Sequence, residues 1–177
     1  MKKIVSIAAA GLLILSACTR DKTIDPNAIP QDLDFSTYRM FNDVGDAVGI
    51  SGDGIDDDYQ MEEWAPWVHK LFAPLDTASL AGTERGIIDH VVFFPTPCMD
   101  VQRVSLRANT TTVFKFVIIN EQGEVMRRYS GRQVKDAANA FIYDLKPFVK
   151  GYYRIYYSFS AEGNTHFFRA HADIEKK

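Results

Sequence analysis

The sequence contains no apolar run long enough to form a transmembrane helix. Its most apolar stretch, residues 4–17, has fourteen residues, whereas a helix needs roughly 20 to cross the hydrocarbon core. The chain also has no excess of basic residues, with 20 Lys and Arg against 23 Asp and Glu and a net charge of −3. Because affinity for nucleic acid comes largely from Lys and Arg on phosphates, we expect neither a membrane span nor a nucleic-acid partner.

The N-terminal stretch has the features of a bacterial lipoprotein signal peptide. Lys2 and Lys3 give it a positive start, the apolar run follows, and Leu15-Ser16-Ala17-Cys18 closes it. That tetrapeptide resembles a lipobox, which implies cleavage between Ala17 and Cys18 and lipidation of Cys18. Each buried methylene contributes about 0.8 kcal/mol, so two or three acyl chains anchor a protein stably. The resemblance thus implies a membrane partner reached through a lipid anchor.

The residues after Cys18 favour the outer membrane. In the enterobacterial members of this class, an Asp directly after the cysteine retains the lipoprotein in the inner membrane, and here that position is Thr19. Asp21 is the only acid among the next four residues, so the acid-rich surface-export signal of some Bacteroidota lipoproteins is weak. We therefore expect a periplasm-facing protein rather than a surface-exposed one.

Cysteine is almost absent from the chain. Of the two cysteines, Cys18 carries the lipid and only Cys98 is left. The mature chain therefore cannot form an internal disulfide, and we expect the Cys98 thiol to be buried.

Four segments follow from composition: a signal peptide (1–17), a lipidated cysteine with an extended tether (18–31), an acidic segment with irregular structure and short helices (32–84), and a β-sandwich (85–177). Residues 19–80 hold 4 basic and 13 acidic residues, a net charge of −9. Residues 81–177 hold 14 basic and 10 acidic residues, a net charge of +4. The two parts are expected either to attract each other or to face different partners. Within the acidic segment, Pro66 divides a predicted helix over residues 58–72, since proline fits only its first turn.

The predicted fold class is mainly β, an antiparallel sandwich. From residue 85 onward, apolar residues recur with a period of two, and Phe116 is expected to face the core. A hairpin turn is expected at residues 121–124, where Gly123 can adopt positive φ. Seven strands are predicted, over residues 87–94, 101–108, 111–120, 125–129, 141–145, 151–160 and 165–174.

Part of this pattern resembles the type IX secretion sorting domains of Bacteroidota. Phe93-Phe94-Pro95-Thr96-Pro97-Cys98 is similar to the Y-P-N-P opening of that family. Asn120-Glu121-Gln122-Gly123-Glu124-Val125 is similar to its N-x-x-G-x-V hairpin, and Leu145 followed by Gly151-Tyr152-Tyr153 to its L…G-x-Y strand start. The resemblance covers residues 92–174 and implies an immunoglobulin-like fold. A lipobox and a short preceding segment depart from the usual secreted cargo.

The densest carboxylate cluster lies in residues 53–63, and calcium is the ligand to consider there. An EF-hand loop starting at Asp53 would need an oxygen ligand, Gly and Glu where Ile55, Asp58 and Trp64 stand. An irregular calcium loop of Asp53, Asp56, Asp57 and Asp58 stays open as an alternative. The expected structure is a solvated acidic loop.

No complete catalytic constellation is visible in the sequence. Residues 49–53 lack the last Gly of a nucleophile elbow. His166 and His171 are five apart on a predicted strand, so we expect them on opposite faces and not as joint metal ligands. We therefore expect a non-enzymatic protein without a cofactor. The aromatic residues of 151–168 are expected to pack in the core on one face, with carbohydrate binding or a protein interface as the alternatives.

Besides an enzyme or calcium-dependent binder built on the acidic loop, three functions remain open on the sequence alone. The first is an outer-membrane lipoprotein whose sandwich binds or scaffolds an envelope protein partner. The second is a secreted or surface-attached product with a type IX-like sorting domain. The third is a lipoprotein component of a secretion machine.

Overall fold

The computed structural model describes residues 25, 28–30, 33–77, 86–161 and 164–177. The lipobox and the predicted cleavage site at Ala17 and Cys18 lie outside these ranges. Within them the chain forms one α-helix, one 3₁₀ turn (Ala73–Leu75) and nine strands. The helix is α1 (Pro66–Phe72), and the strands are β1 (Tyr38–Phe41), β2 (Ala47–Ser51), β3 (Ile88–Phe94), β4 (Val101–Ala108), β5 (Thr112–Asn120), β6 (Val125–Gln133), β7 (Asn139–Asp144), β8 (Gly151–Ala161) and β9 (Asn164–Lys176).

Seven of these strands form the predicted antiparallel sandwich. One sheet has the order β3-β4-β7 and the other the order β6-β5-β8-β9. The arrangement is immunoglobulin-like. β6, the fourth strand of the sandwich, pairs with β5, the third, instead of joining the sheet that contains β3. All seven predicted strands are confirmed, and β6 runs four residues further than expected. The hairpin between β5 and β6 is also confirmed, since Gly123 has a φ of +76°.

The core between the two sheets is built mainly from aromatic rings. Phe116 on β5 is fully buried and stacks on Tyr129 of β6 with ring centroids 5.1 Å apart. Across the sandwich it also stacks on Phe141 of β7, at 6.0 Å. Tyr153, Tyr157 and Phe159 of β8 belong to the same cluster. Core packing of the aromatic strand is therefore confirmed.

The four-stranded sheet is buried on its outer face as well. There Val117, Ile119 and Tyr156 form a second apolar cluster with residues of the acidic segment. α1 begins at Pro66, as predicted, and ends at Phe72, shortly before Pro74. Because this helix turns apolar side chains towards the sheet, the segment is part of the folded body. Its contributors to the cluster are Phe35, Trp64, Trp67, Val68 and Phe72.

Two details of the acidic segment differ from the sequence predictions. Residues 58–64 are not helical, and the amides of Tyr59 and Glu62 bond to β9 carbonyls. The segment was expected to hold only irregular structure and short helices, but it also contains β1 and β2, which pair in a two-stranded sheet. Ile29, at the end of the tether, lies against the β5–β6 turn, since a Cβ added to Gly123 would lie 2.7 Å from Ile29 Cδ1.

No helix within the described ranges is both long enough and apolar enough to cross a membrane.

Replacing Phe116 by Ala should lower the free energy of unfolding by about 3–5 kcal/mol, because the change leaves a cavity among stacked rings. The matched control is Ile142→Ala on β7. The Ile142 side chain is 64% exposed, so this substitution should lower the free energy of unfolding by less than about 0.5 kcal/mol. Urea unfolding followed by circular dichroism measures both. A loss below about 1 kcal/mol for Phe116→Ala would contradict its place in the core.

Candidate functional site

The four aspartates considered for calcium do not converge on one point. Asp53 is exposed, as expected. Asp56 forms an ion pair with Arg39 at 2.6 Å, and Asp57 lies 3.3 Å from the ring of His171. Asp58 is only 1% exposed. The prediction of a solvated acidic loop is therefore wrong for this last residue, which lies beneath the segment.

Asp58 connects two strands through their backbones. Its Oδ2 accepts a hydrogen bond from the Arg39 amide of β1 at 2.8 Å. Its Oδ1 accepts one from the Asp173 amide of β9 at 2.7 Å. Burial and the nearby Asp173 carboxylate raise the pKa of Asp58 to about 7. The carboxyl group thus joins the N-terminal sheet to the sandwich.

Next to Asp58, a buried ion pair joins β8, β9 and the start of the acidic segment. Arg154 donates to Asp173 through Nε at 2.7 Å and through Nη2 at 2.6 Å. Nη2 also donates to the Asp34 carbonyl at 2.6 Å. The guanidinium lies 5.0 Å from the centre of the Phe35 ring. A planar bidentate pair of this kind fixes both distance and orientation.

His171 is held between two carboxylates of the acidic segment. Its Nδ1 lies 3.0 Å from Glu62 Oε1, and its Nε2 lies 3.3 Å from Asp57 Oδ1. Burial by itself would lower the pKa of His171, but the contacts with Asp57 and Glu62 outweigh it and raise the pKa to about 9. The ring is therefore an imidazolium at neutral pH, and it ties residues 57–62 to β9.

His166 and His171 both lie on the outer face of the four-stranded sheet, so the prediction of opposite faces is wrong. The register between β8 and β9 shifts after Phe159, and the consecutive residues Phe167 and Phe168 both pack against the inner core. This β-bulge breaks the alternation that the spacing of the two histidines assumed.

Asp58, His171 and Asp173 have potential metal-ligand atoms within 4.8 Å of one another. The oxygens of Asp58 already accept two backbone amides, and those of Asp173 are held by Arg154. Hydrogen bonding accounts for this cluster without a metal. The expectation that residues 53–63 hold no tight calcium ion stays a prediction.

A second polar cluster lies on the same face, where β5, β8, β9 and the 3₁₀ turn meet. Asp76 Oδ1 lies 3.1 Å from Lys115 Nζ and 3.4 Å from His166 Nε2. His166 Nδ1 in turn lies 3.0 Å from Ser158 Oγ. Burial lowers the pKa of His166 to about 4, against the opposing effect of Asp76. These residues come from three distant parts of the chain, Asp76, Lys115 and the β8–β9 hairpin, so sequence spacing offered no signal for them.

This cluster contains a serine, a histidine and an aspartate, the residue types of a hydrolase catalytic triad. Its serine, however, is not accessible to a substrate. Ser158 and Lys115 are completely buried, with Trp64 and Phe72 packed against the His166 ring. A nucleophile must reach a substrate carbonyl, and the Ser158 hydroxyl has no solvent-facing side in this conformation. The arrangement serves as a buried polar network between the sheet and the acidic segment.

Cys98 is buried, as predicted, with its backbone amide bonded to the Glu175 carbonyl at 2.8 Å. Burial raises the pKa of the Cys98 thiol to about 12. The thiol is therefore protonated and unreactive at neutral pH.

One lateral side of the sandwich is closed by the acidic segment. Tyr59 and Glu62 donate backbone hydrogen bonds to β9 carbonyls, at 2.8 Å to His171 and at 3.0 Å to Arg169. The Tyr59 ring enters between the sheets, and its hydroxyl accepts the Phe93 amide of β3 at 3.2 Å. Tyr59 takes a left-handed φ of +65° to make this turn, a conformation that costs roughly 1–2 kcal/mol.

The opposite side, between β6 and β7, contains a cleft of about 210 Å³. Tyr129 and Phe141 stack at its floor with centroids 4.7 Å apart. Each of these two strands has a partner on one side only, and no described segment bonds along its other side in the way residues 59–62 bond along β9. The cleft is lined by Leu106, Phe114, Tyr129, Gly131, Arg132, Gln133, Asn139, Ala140 and Phe141.

Comparison with known proteins provides no functional assignment. No protein-family model matches this chain, and no curated protein matches it. Among solved structures, the chain is similar to dimeric latent PorU from Porphyromonas gingivalis, with 12% identity and a TM-score of 0.43. The match covers 55% of this chain but only 10% of PorU. A likeness of this size supports no argument about function.

The two raised pKa values predict that stability falls as pH rises. For Asp58, the native pKa of about 7 exceeds the ordinary value of 3.8, so its contribution is complete below pH 3.8 and is lost as the pH rises to 7. For His171, the native pKa of about 9 exceeds 6.5, so its contribution is lost between those two values. Together they should lower the free energy of unfolding by about 2 kcal/mol or more between pH 5 and pH 9.

Urea unfolding at several pH values measures this dependence. Asp58→Asn should flatten the acidic part of the profile and His171→Gln the alkaline part. The exposed Asp53→Asn should leave the profile unchanged. A wild-type profile that rises from pH 5 to pH 9 would contradict the assignment.

Proposed function

We propose that this protein is a non-enzymatic outer-membrane lipoprotein whose sandwich binds or scaffolds another envelope protein. The lipobox resemblance at residues 15–18 supports the anchor, and Thr19 supports the outer membrane with a periplasm-facing body. The observation that carries the binding role is the asymmetry of the sandwich. One lateral side is closed by the acidic segment, while on the β6–β7 side no described segment bonds along the two strand edges beside the cleft.

The non-enzymatic part of the proposal is supported by the burial of the polar clusters. The Asp58 and Arg154 groups hold the acidic segment, and the Ser158 hydroxyl is enclosed under Trp64 and Phe72. By contrast, the accessible cleft is lined largely by aromatic and small side chains. Such a surface suits recognition of a polypeptide better than bond-breaking chemistry.

A secreted or surface-attached product is the second candidate, and the positions of the type IX-like motifs favour it. Residues 93–98 lead from β3 towards β4, residues 120–125 form the β5–β6 hairpin, and Gly151 begins β8. Cleavage of the mature protein near Pro95 would support this candidate, whereas a mature C-terminus at Lys177 would count against it. Intact-mass measurement distinguishes the two. A lipoprotein component of a secretion machine would keep both the lipid and the C-terminus.

Cys18→Ser should abolish lipidation and move the protein from the membrane to the soluble fraction. The reason is that one cysteine would carry all of the acyl chains, and their burial in the bilayer supplies the anchoring free energy. Incorporation of labelled palmitate and membrane fractionation measure the two effects. Cys98→Ser is the matched control and should keep both label and membrane attachment. Undiminished attachment of Cys18→Ser, without uncleaved precursor, would refute the lipoprotein assignment.

A further inference from the structure

The closed side of the sandwich shows what kind of segment its strand edges accept. Residues 57–63 lie along the outer edge of β9 and bond to its carbonyls through their own amides. An aromatic side chain, Tyr59, fills the gap between the sheets, with its ring centre 5.5 Å from that of Phe41. Acidic side chains beside it pair with basic groups of β9, as Glu63 does with Arg169. The segment is acidic, turns at Asp58 and Tyr59, and is anchored by one aromatic ring.

The open side presents complementary features. β6 carries three arginines and no acidic residue, in the sequence Val-Met-Arg-Arg-Tyr-Ser-Gly-Arg-Gln. Arg128 lies opposite Val117 and Arg132 opposite Val113, whereas Arg127 lies opposite the core residue Ile118. Because side chains of opposite residues share a face, the arginines flank the free edge on both faces.

Within the cleft itself, the side chains nearest the core are uncharged. Gly131 lies opposite Phe114, and a Cβ there would overlap the hydroxyl of Tyr129. The Tyr129 ring therefore occupies the space beside Gly131, and Tyr129 and Phe141 are both half-buried. Charges alone would fit an edge that only discourages aggregation. Half-buried aromatic side chains between the edges of β6 and β7 are not needed to discourage aggregation.

We propose that the β6–β7 cleft binds an extended acidic segment of a partner protein, which adds to the edge of β6 and inserts one aromatic residue between the sheets. The inference deepens the proposed binding function and rests on it. Backbone hydrogen bonds to the edge supply a sequence-independent part of the affinity, and the pocket between the sheets supplies specificity. Arg128 already donates to the Leu71 carbonyl at 3.0 Å, so Arg132 is the arginine that attracts the acidic side chains and sets the salt dependence of association.

The test uses the full-length protein in detergent micelles and a dye-labelled peptide with the sequence of residues 55–63, Ile-Asp-Asp-Asp-Tyr-Gln-Met-Glu-Glu. Fluorescence anisotropy should show saturable binding that weakens as salt is raised. Replacing the peptide's tyrosine by alanine should weaken binding, as should replacing its acids by lysine. Hydrogen exchange should slow at the β6 amides when the peptide binds.

Arg132→Glu should weaken binding about tenfold or more, because it reverses a charge at the cleft. Arg132 has no hydrogen bond or ion pair with the described residues that the substitution would break. Lys150→Glu makes the same change of charge in the exposed loop before β8 and should alter the dissociation constant by less than about twofold.

Absence of saturable binding would overturn the proposal, and so would equal weakening by Arg132→Glu and Lys150→Glu. Slower exchange at β9 instead of β6 would show that the peptide displaces the protein's own acidic segment, which also overturns it. Self-association that Arg132→Glu abolishes would assign the cleft to a second copy of this chain rather than to a partner. Because none of these measurements depends on lipidation, their outcome is separate from that of the Cys18→Ser experiment.

Discussion

The bidentate ion pair between Arg154 and Asp173 organises the contact between the sandwich and the acidic segment. It lies on the outer face of the four-stranded sheet, and the same guanidinium binds the Asp34 carbonyl and covers the Phe35 ring. Removing one partner of a buried pair leaves an uncompensated charge, which costs about 3–5 kcal/mol. The position of residues 34–63 on the sheet thus depends on one pair of charges and the hydrogen bonds around it.

The acidic segment makes the two sides of the sandwich unequal. On the β3–β9 side, the acidic segment supplies backbone hydrogen bonds to β9, the Tyr59 ring between the sheets, and carboxylates that pair with basic groups of β9. The β6–β7 side has arginines and aromatic rings but no described segment in the equivalent place. A strand edge with unpaired backbone groups is a template for further pairing. The proposed binding function and the proposed acidic peptide both follow from this inequality.

Much of the sandwich was predictable because its signals are local. The period-two pattern located the seven strands, the burial of Phe116 followed from its phase, and Gly123 marked the hairpin turn. Pro66 correctly marked the start of α1, since proline constrains its own position. The sequence left two expectations for the acidic and basic parts of the chain, and attraction between them was one. The pair of Glu63 with Arg169 joins the two parts. The pair of Arg154 with Asp173 lies within the basic part.

The errors concern contacts between residues far apart in the chain. Asp58 was assigned to a solvated loop because nothing in its local sequence encodes the Asp173 amide that it accepts. His166 and His171 were placed on opposite faces because a bulge in β9 changes a count that assumes regular alternation.

The sequence by itself determined the strand pattern, the single buried thiol and the lipobox resemblance, because each depends on neighbouring residues or on composition. Only the tertiary structure decided that the acidic segment is a third layer of the fold and that, among the described residues, no segment bonds along the β6 and β7 edges. Burial and pairing of charges depend on which distant groups meet, and that is a property of the packed chain.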